Sequence, residues 1–190
     1  MPKATISTLV YTLNTGVFQQ DLTSSRAFLT YFEYYVLMNT TLDTLLAQEA
    51  ELQFTKFNNV TAWKLGSWLA DKARKEGLKI TVGITRVNQR LFHFAGDGTT
   101  RDNDDWLERK VRTVYRFGHS SYYMGRKLAH DDKTAAEKYF VDEAEYCFHG
   151  GAFPIILKGT GVIGTLTVSG LPQEQDHALA VEAIRYVLKK

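Results

Sequence analysis

Cysteine is almost missing from this chain: Cys147 stands alone in 190 residues. That excludes an intramolecular disulfide framework and a cysteine-built zinc site, and it fits a cytoplasmic, reducing setting. Neither sign of charge dominates, since 23 Lys and Arg against 21 Asp and Glu leave a net charge of +2. A nucleic-acid footprint needs a clustered basic excess, so nucleic acid is set aside as a partner. No apolar run reaches the length that spans a bilayer, and no basic, apolar and cleavable trio opens the chain, so no membrane is expected either. Internal repeats and low-complexity linkers are lacking, and the length suits one well-buried core with an appended segment.

The familiar catalytic and ligand motifs are also missing. Ser120 and Ser121 adjoin His119 without a Gly-x-Ser-x-Gly elbow, and no histidine pair has the His-Glu-x-x-His spacing of a zinc helix. Gly96-Asp-Gly98 and Lys158-Gly-Thr-Gly161 read as turns, because neither fits a phosphate loop. Asp102, Asp104 and Asp105 read as partners of a helix dipole rather than as hard-cation ligands, and no metal site is expected. Cys147 beside Phe148 reads as a small buried hydrophobe.

Residues 1–37 differ from the rest, being rich in Thr, Ser, Tyr and Phe without a sustained helical period. Met38-Asn-Thr-Thr-Leu-Asp then resembles a helix start, with Thr41 or Asp43 as N-cap before Leu45, Leu46 and Leu52. The expectation is that Met38 is the natural start, residues 1–37 are an upstream extension, and residues 38–190 form the domain. The alternative for residues 1–37 is a β-rich arm used in assembly.

Strands and helices alternate from there. A short strand is predicted within 52–57, then a helix capped by Asn58 or Asn59, carrying Ala62, Leu65, Leu69 and Ala73 inward and stopped by Gly77. A hairpin joins 79–86 to 90–95 across Val87-Asn88-Gln89. A helix starting at Asp102 or Asn103 shows Leu107, Val111 and Val114 on one face and ends at Gly118. Residues 121–141 read as helical but broken at Asp131-Asp132 before Thr134. A second hairpin pairs 152–157 with 162–169, with Pro154 marking an edge or the start of its strand, and a last helix carries Ala178, Ala180, Val181, Ile184 and Leu188. The pattern is an α+β layered domain, an antiparallel sheet of about five strands flanked by helices.

Two stretches concentrate polar and aromatic groups: Arg116-Phe-Gly-His-Ser-Ser-Tyr-Tyr-Met-Gly-Arg126 and Tyr146-Cys-Phe-His-Gly-Gly-Ala152. Together with Asp102-Asn-Asp-Asp-Trp106 and Glu137-Lys-Tyr-Phe-Val-Asp142, they are similar to the signature runs of an uncharacterised protein family of bacteria and fungi. More broadly, His149-Gly-Gly-Ala-Phe-Pro154, Gly161-Val-Ile-Gly164, Thr167-Val-Ser-Gly170 and the helix start at 176–183 resemble the GlcG/HbpS-like, or haem-degrading domain, superfamily. That superfamily includes the C-terminal domain of PduO-type corrinoid adenosyltransferases. The resemblance spans roughly Met38 to Leu188. It implies a profilin-like α/β/α sandwich and a homo-oligomer, commonly a ring. It also implies haem binding in some members and a degradative activity attached to the superfamily name. A fungal relative has an adaptor role through an acidic C-terminal tail, which Leu188-Lys-Lys190 does not match.

With that resemblance in view, His119 and His149 are the candidate ligands of haem or a related tetrapyrrole, since the iron takes an imidazole. Arg109, Arg112 and Arg116 fall at i, i+3 and i+7 and are placed to grip propionates, with Tyr122 and Tyr123 as aromatic walls and Gly150 and Gly151 at the strand entrance. The bland alternative is a solvated helix face, with Glu108 paired to Arg112, tyrosines in a subunit interface, Gly118 as a helix cap and His149 bonded to backbone at a bulge. His93, His130 and His177 read as a sheet-face residue, a loop residue and the beginning of a helix. The leading function is an oligomeric protein binding a small planar or anionic ligand. The alternatives are a haem-degrading enzyme and a noncatalytic assembly or adaptor protein.

Overall fold

Asn58 opens the first long helix as its spacing predicts: the Asn58 side chain accepts the Thr61 N–H at 2.9 Å, and Gly77 closes the helix in left-handed conformation (φ +67°). The computed structural model describes residues 42–189, so residues 1–37, the Met38 start and the proposed Thr41 cap lie outside the described residues. Asp43, the other proposed cap, falls inside a helix over residues 42–51, called α1. The remaining elements are β1 (Gln53–Phe54), α2 (Asn59–Glu76), β2 (Thr81–Arg86), β3 (Gln89–Ala95), α3 (Arg101–Phe117), α4 (Ser121–His130), α5 (Ala135–Tyr139), β4 (Ala152–Leu157), β5 (Gly161–Ser169) and α6 (Gln173–Leu188).

The five strands form one sheet in the order β1-β4-β5-β2-β3. Three of the four pairings are antiparallel as expected, but β1 runs parallel to β4, with Gln53 opposite Ile156 and Phe54 opposite Leu157. A tight hairpin forces antiparallel pairing; β1 and β4 are joined through most of the domain, so nothing in the connection imposes that direction. Because β1 reaches only Ile156 and Leu157, β4 is an edge strand at Pro154, where a missing N–H is tolerated. The β2–β3 turn is shorter than expected. Val87 (φ +46°) and Asn88 (φ +64°) make a two-residue turn, and Gln89 already pairs with Arg86.

Helices cover both faces of the sheet, giving the α/β/α layering, with α2 and α6 on one side and α3 with α4 on the other. Period-two alternation makes the two faces chemically unequal. Val82, Ile84, Phe153, Ile155, Leu166 and Val168 point into the main apolar core under α2 and α6. Their neighbours Thr81, Thr165, Thr167 and Ser169 are also buried, and Thr85 bonds both Tyr115 (3.1 Å) and Thr165 (2.9 Å) on the α3 side. A second apolar cluster gathers Leu45, Tyr123, Met124, Leu128, Ala135, Val141 and Phe148 around α1, α4 and α5.

Two helix faces depart from their predicted stripes. In α3 the buried residues are Leu107, Lys110, Thr113 and Val114, whereas Val111 is half-buried. In α6 Ala178 is exposed and Leu188 half-buried, and the buried stripe instead includes Asp176 and His177. Polar groups take core positions in both cases because they find partners there, as described below. No helix among the described residues is long and apolar enough to cross a membrane.

Candidate functional site

Glu49 sets the state of His119. Position 49 follows buried Leu45 by one turn and precedes buried Leu52 by another, so α1 carries its carboxylate inward, where Glu49 is only 5 % exposed. One Glu49 oxygen accepts the Ser120 N–H at 2.7 Å, and the other meets His119 Nδ1 at 2.6 Å. A carboxylate only accepts, so Nδ1 carries the proton in the neutral ring and Nε2 keeps the lone pair. Nε2 makes no hydrogen bond among the described residues, and the side chain is 40 % exposed. The bond to Glu49 raises the imidazole pKa above its ordinary 6.5, against the opposing pull of burial and of the Lys127 charge.

The local chain holds this arrangement from both sides. Gly118 (φ +73°) terminates α3, and Ser120 caps α4 by accepting the Tyr123 N–H, leaving His119 in the joint between two helices. Ser121 Oγ accepts the Ala152 N–H at 3.1 Å, tying that joint to the first residue of β4. Tyr123, the third residue of α4 and 8 % exposed, lays its ring 4.7 Å from the imidazole.

His149 lies in a different setting. It is exposed, its ring stacks on Trp106 at 5.4 Å, and the Arg109 guanidinium sits 4.1 Å from the same indole. The His149 N–H donates to Cys147 Sγ at 3.3 Å, and burial pushes the Cys147 thiol up. Trp106 and Phe117 are about 16 Å apart along a helix, so the two histidines have different partners at different points along α3.

The other residues singled out above divide likewise. Arg112 donates to the Glu145 carbonyl at 2.9 Å and lies 3.8 Å from Glu108. Arg116 donates to the Tyr139 carbonyl at 3.3 Å with Phe117 and Tyr146 rings beside its guanidinium. Both arginines therefore tie α3 to the 139–146 segment. Tyr122 turns away from Tyr123 and packs 4.9 Å from the His177 ring; burial raises its phenol pKa. Gly150 and Gly151 have steric reasons: a side chain on Gly150 would meet the Gln173 carbonyl at 2.2 Å, and Gly151 (φ +130°) sits against the Val168 carbonyl. Gly150→Ala should accordingly cost about 1–3 kcal/mol through forced backbone shifts, read as a lowered urea midpoint.

Sequence reasoning missed three residues beside these. Lys110, 3 % exposed, donates to Asp176 at 3.0 Å and to the Val168 carbonyl at 3.1 Å, directly under Gly151. Asp176 also accepts the Leu171 N–H, and burial pushes its carboxyl up despite Lys110. His177 is 4 % exposed, meets Gln48 Oε1 through Nε2 at 2.9 Å, and has Nδ1 buried with no hydrogen-bond partner among the described residues. Burial lowers its pKa to about 4. The available signal was position: Glu49, Lys110 and His177 each share a helix face with buried apolar residues.

Among known proteins, residues 57–185 match the family described as haem degrading protein, HbpS-like. A UPF0303 protein of Psychromonas ingrahamii is 44 % identical over 148 residues, covering 78 % of this chain and 93 % of that protein. The crystal structure of Ybr137w protein is 36 % identical with TM-score 0.73, covering 78 % of this chain and 88 % of its own. The PduOC–heme complex shares the fold at 15 % identity and TM-score 0.56, covering 67 % of this chain and 92 % of its own. With the family model matching most of the chain and a UPF0303 protein 44 % identical over 78 % of it, the chain belongs to the HbpS-like haem-degrading protein family, among its UPF0303 members.

Proposed function

We propose that this protein binds haem or a related tetrapyrrole at His119. The observation that carries the reading is the Glu49–His119 pair. A metal-binding histidine characteristically donates its second ring nitrogen to a carboxylate, which orients the ring and makes the other nitrogen a better donor. Here Nδ1 is taken by Glu49, while Nε2 is outward and without a hydrogen bond among the described residues. His119 would hold the iron through its imidazole, with the Tyr123 ring beside it as an aromatic wall. Bound iron would supply oxygen or redox chemistry; the protein's share is to hold the imidazole tautomer and shape the wall. Support comes also from the family description and from the haem held by the structural neighbour PduOC. His149, stacked on Trp106 and away from Glu49, is not part of this site. A cytoplasmic homo-oligomer completes the reading, tested by light scattering, where a stable monomer would count against it.

Titration with haemin checks the proposal. The parent protein should give a saturable Soret shift, His149→Ala should preserve it, and His119→Ala should abolish it. Glu49→Gln should weaken binding by about 10–100-fold. Because iron takes the neutral ring, protons compete: affinity should fall as pH drops through a midpoint above 6.5, about tenfold per unit below it. Unchanged binding by His119→Ala sinks the reading. A Soret band that bleaches catalytically with reductant and oxygen would make the protein a haem-degrading enzyme, the activity its family description carries.

A further inference from the structure

The arginine stripe of α3 was the natural choice for gripping the carboxylates of an anionic ligand. Arg112 and Arg116, however, hold the carbonyls of Glu145 and Tyr139, and Arg109 lies on Trp106 toward the middle of the helix. Moving either of the first two would break its bond to the 139–146 segment. A different cation is available at His119. Lys127 lies one helical turn beyond Tyr123 on α4, at i, i+4, so the two share a helix face. Tyr123 is the residue whose ring contacts the imidazole. Lys127 makes no ion pair or side-chain hydrogen bond among the described residues, it is half-buried, and its charge reaches the His119 ring. The other basic residue of that turn, Arg126, lies at i+3 from Tyr123, but its charge reaches the Tyr122 phenol, whereas the cation that reaches the His119 ring is Lys127.

Resting on the haem reading above, we infer that Lys127 is the residue that selects a carboxylate-bearing ligand at His119, pairing its ammonium with a propionate-type group. An aromatic wall and an ammonium on one helix face, next to an oriented imidazole, suit a planar anion rather than a neutral ring system. Lys127 acts as a point charge on a flexible stem, so it tolerates several carboxylate positions and depends on charge more than on shape.

The test compares haemin with haemin dimethyl ester, whose propionates are esterified, by Soret titration of the full chain. The parent should bind haemin about tenfold more tightly than the ester, the worth of one charge-assisted hydrogen bond. Lys127→Met should remove that preference by weakening haemin alone, and Lys127→Arg should keep it. Circular dichroism of each variant confirms the fold. Equal affinity of the parent for haemin and ester overturns the inference, and so does a Lys127→Met protein that retains the preference or loses both ligands equally. In each of these cases the haem reading survives. Absence of saturable binding of either compound to the parent overturns that reading as well.

Discussion

Lys110→Met should lower the unfolding free energy by about 3–5 kcal/mol, the cost of leaving one member of a buried ion pair without its counter-charge. Lys110 and Asp176 are 3 % and 2 % exposed, 3.0 Å apart, and each has a further backbone bond, Lys110 to Val168 and Asp176 from Leu171. The methionine fills much the same volume, so the loss reads charge rather than packing. Burial pushes the Asp176 carboxyl up, so in the variant the native state binds the Asp176 proton more readily than the unfolded chain does. Stability is then lost as pH rises, and the penalty should be larger at pH 8 than at pH 5. The double change Lys110→Met with Asp176→Leu should recover most of the loss, because two apolar groups need no counter-charge. Urea unfolding across pH measures all three; a penalty below about 1 kcal/mol, or one that grows as pH falls, would contradict a buried pair of this kind.

The second large effect is acid lability carried by His177. Its ordinary pKa of 6.5 is lowered to about 4 by burial in the fold. Between those values the unfolded chain binds a proton that the native state refuses, so stability falls as pH drops from 6.5 toward 4 and is fully present above that window. A shift of this size corresponds to about 3 kcal/mol over the window. His177→Gln removes the titration and should flatten that part of the acid limb while costing some packing against Tyr122 and Phe153. Parallel acid limbs for parent and variant in urea midpoints between pH 7 and 4.5 would show that His177 does not carry the effect.

Much of the fold was legible because local rules and tertiary packing agree along most of the chain. Asn58, Gly77, Thr134 and Gly118 terminate helices where their side chains or left-handed backbones permit it. Period-two alternation from Ala152 to Ser169 places Phe153, Ile155, Leu166 and Val168 on one face of the sheet. The parallel β1 was not legible, since nothing local records which strand a two-residue segment will join across the domain.

The candidate site was legible only in halves. His119 stood out by its neighbours, but the carboxylate that orients it lies 70 residues earlier on another helix. Of the arginines at i, i+3 and i+7, Arg112 and Arg116 hold the 139–146 segment and Arg109 lies on Trp106, which no spacing within α3 reveals. Gly150 and Gly151, read as part of a pocket, instead make room for the Gln173 and Val168 carbonyls.

By itself the sequence determined the layered α+β class, the helix ends, the apolar faces and the family, because caps, periodicity and motif runs depend on residues near one another in the chain. Tertiary structure decided which charged and polar groups share the core. It paired Glu49 with His119, Lys110 with Asp176 and Gln48 with His177, and it separated His119 from His149 along α3. The physical reason is that burying a charge is tolerable only with a partner close by, and such partners are brought together by packing, not by adjacency in sequence.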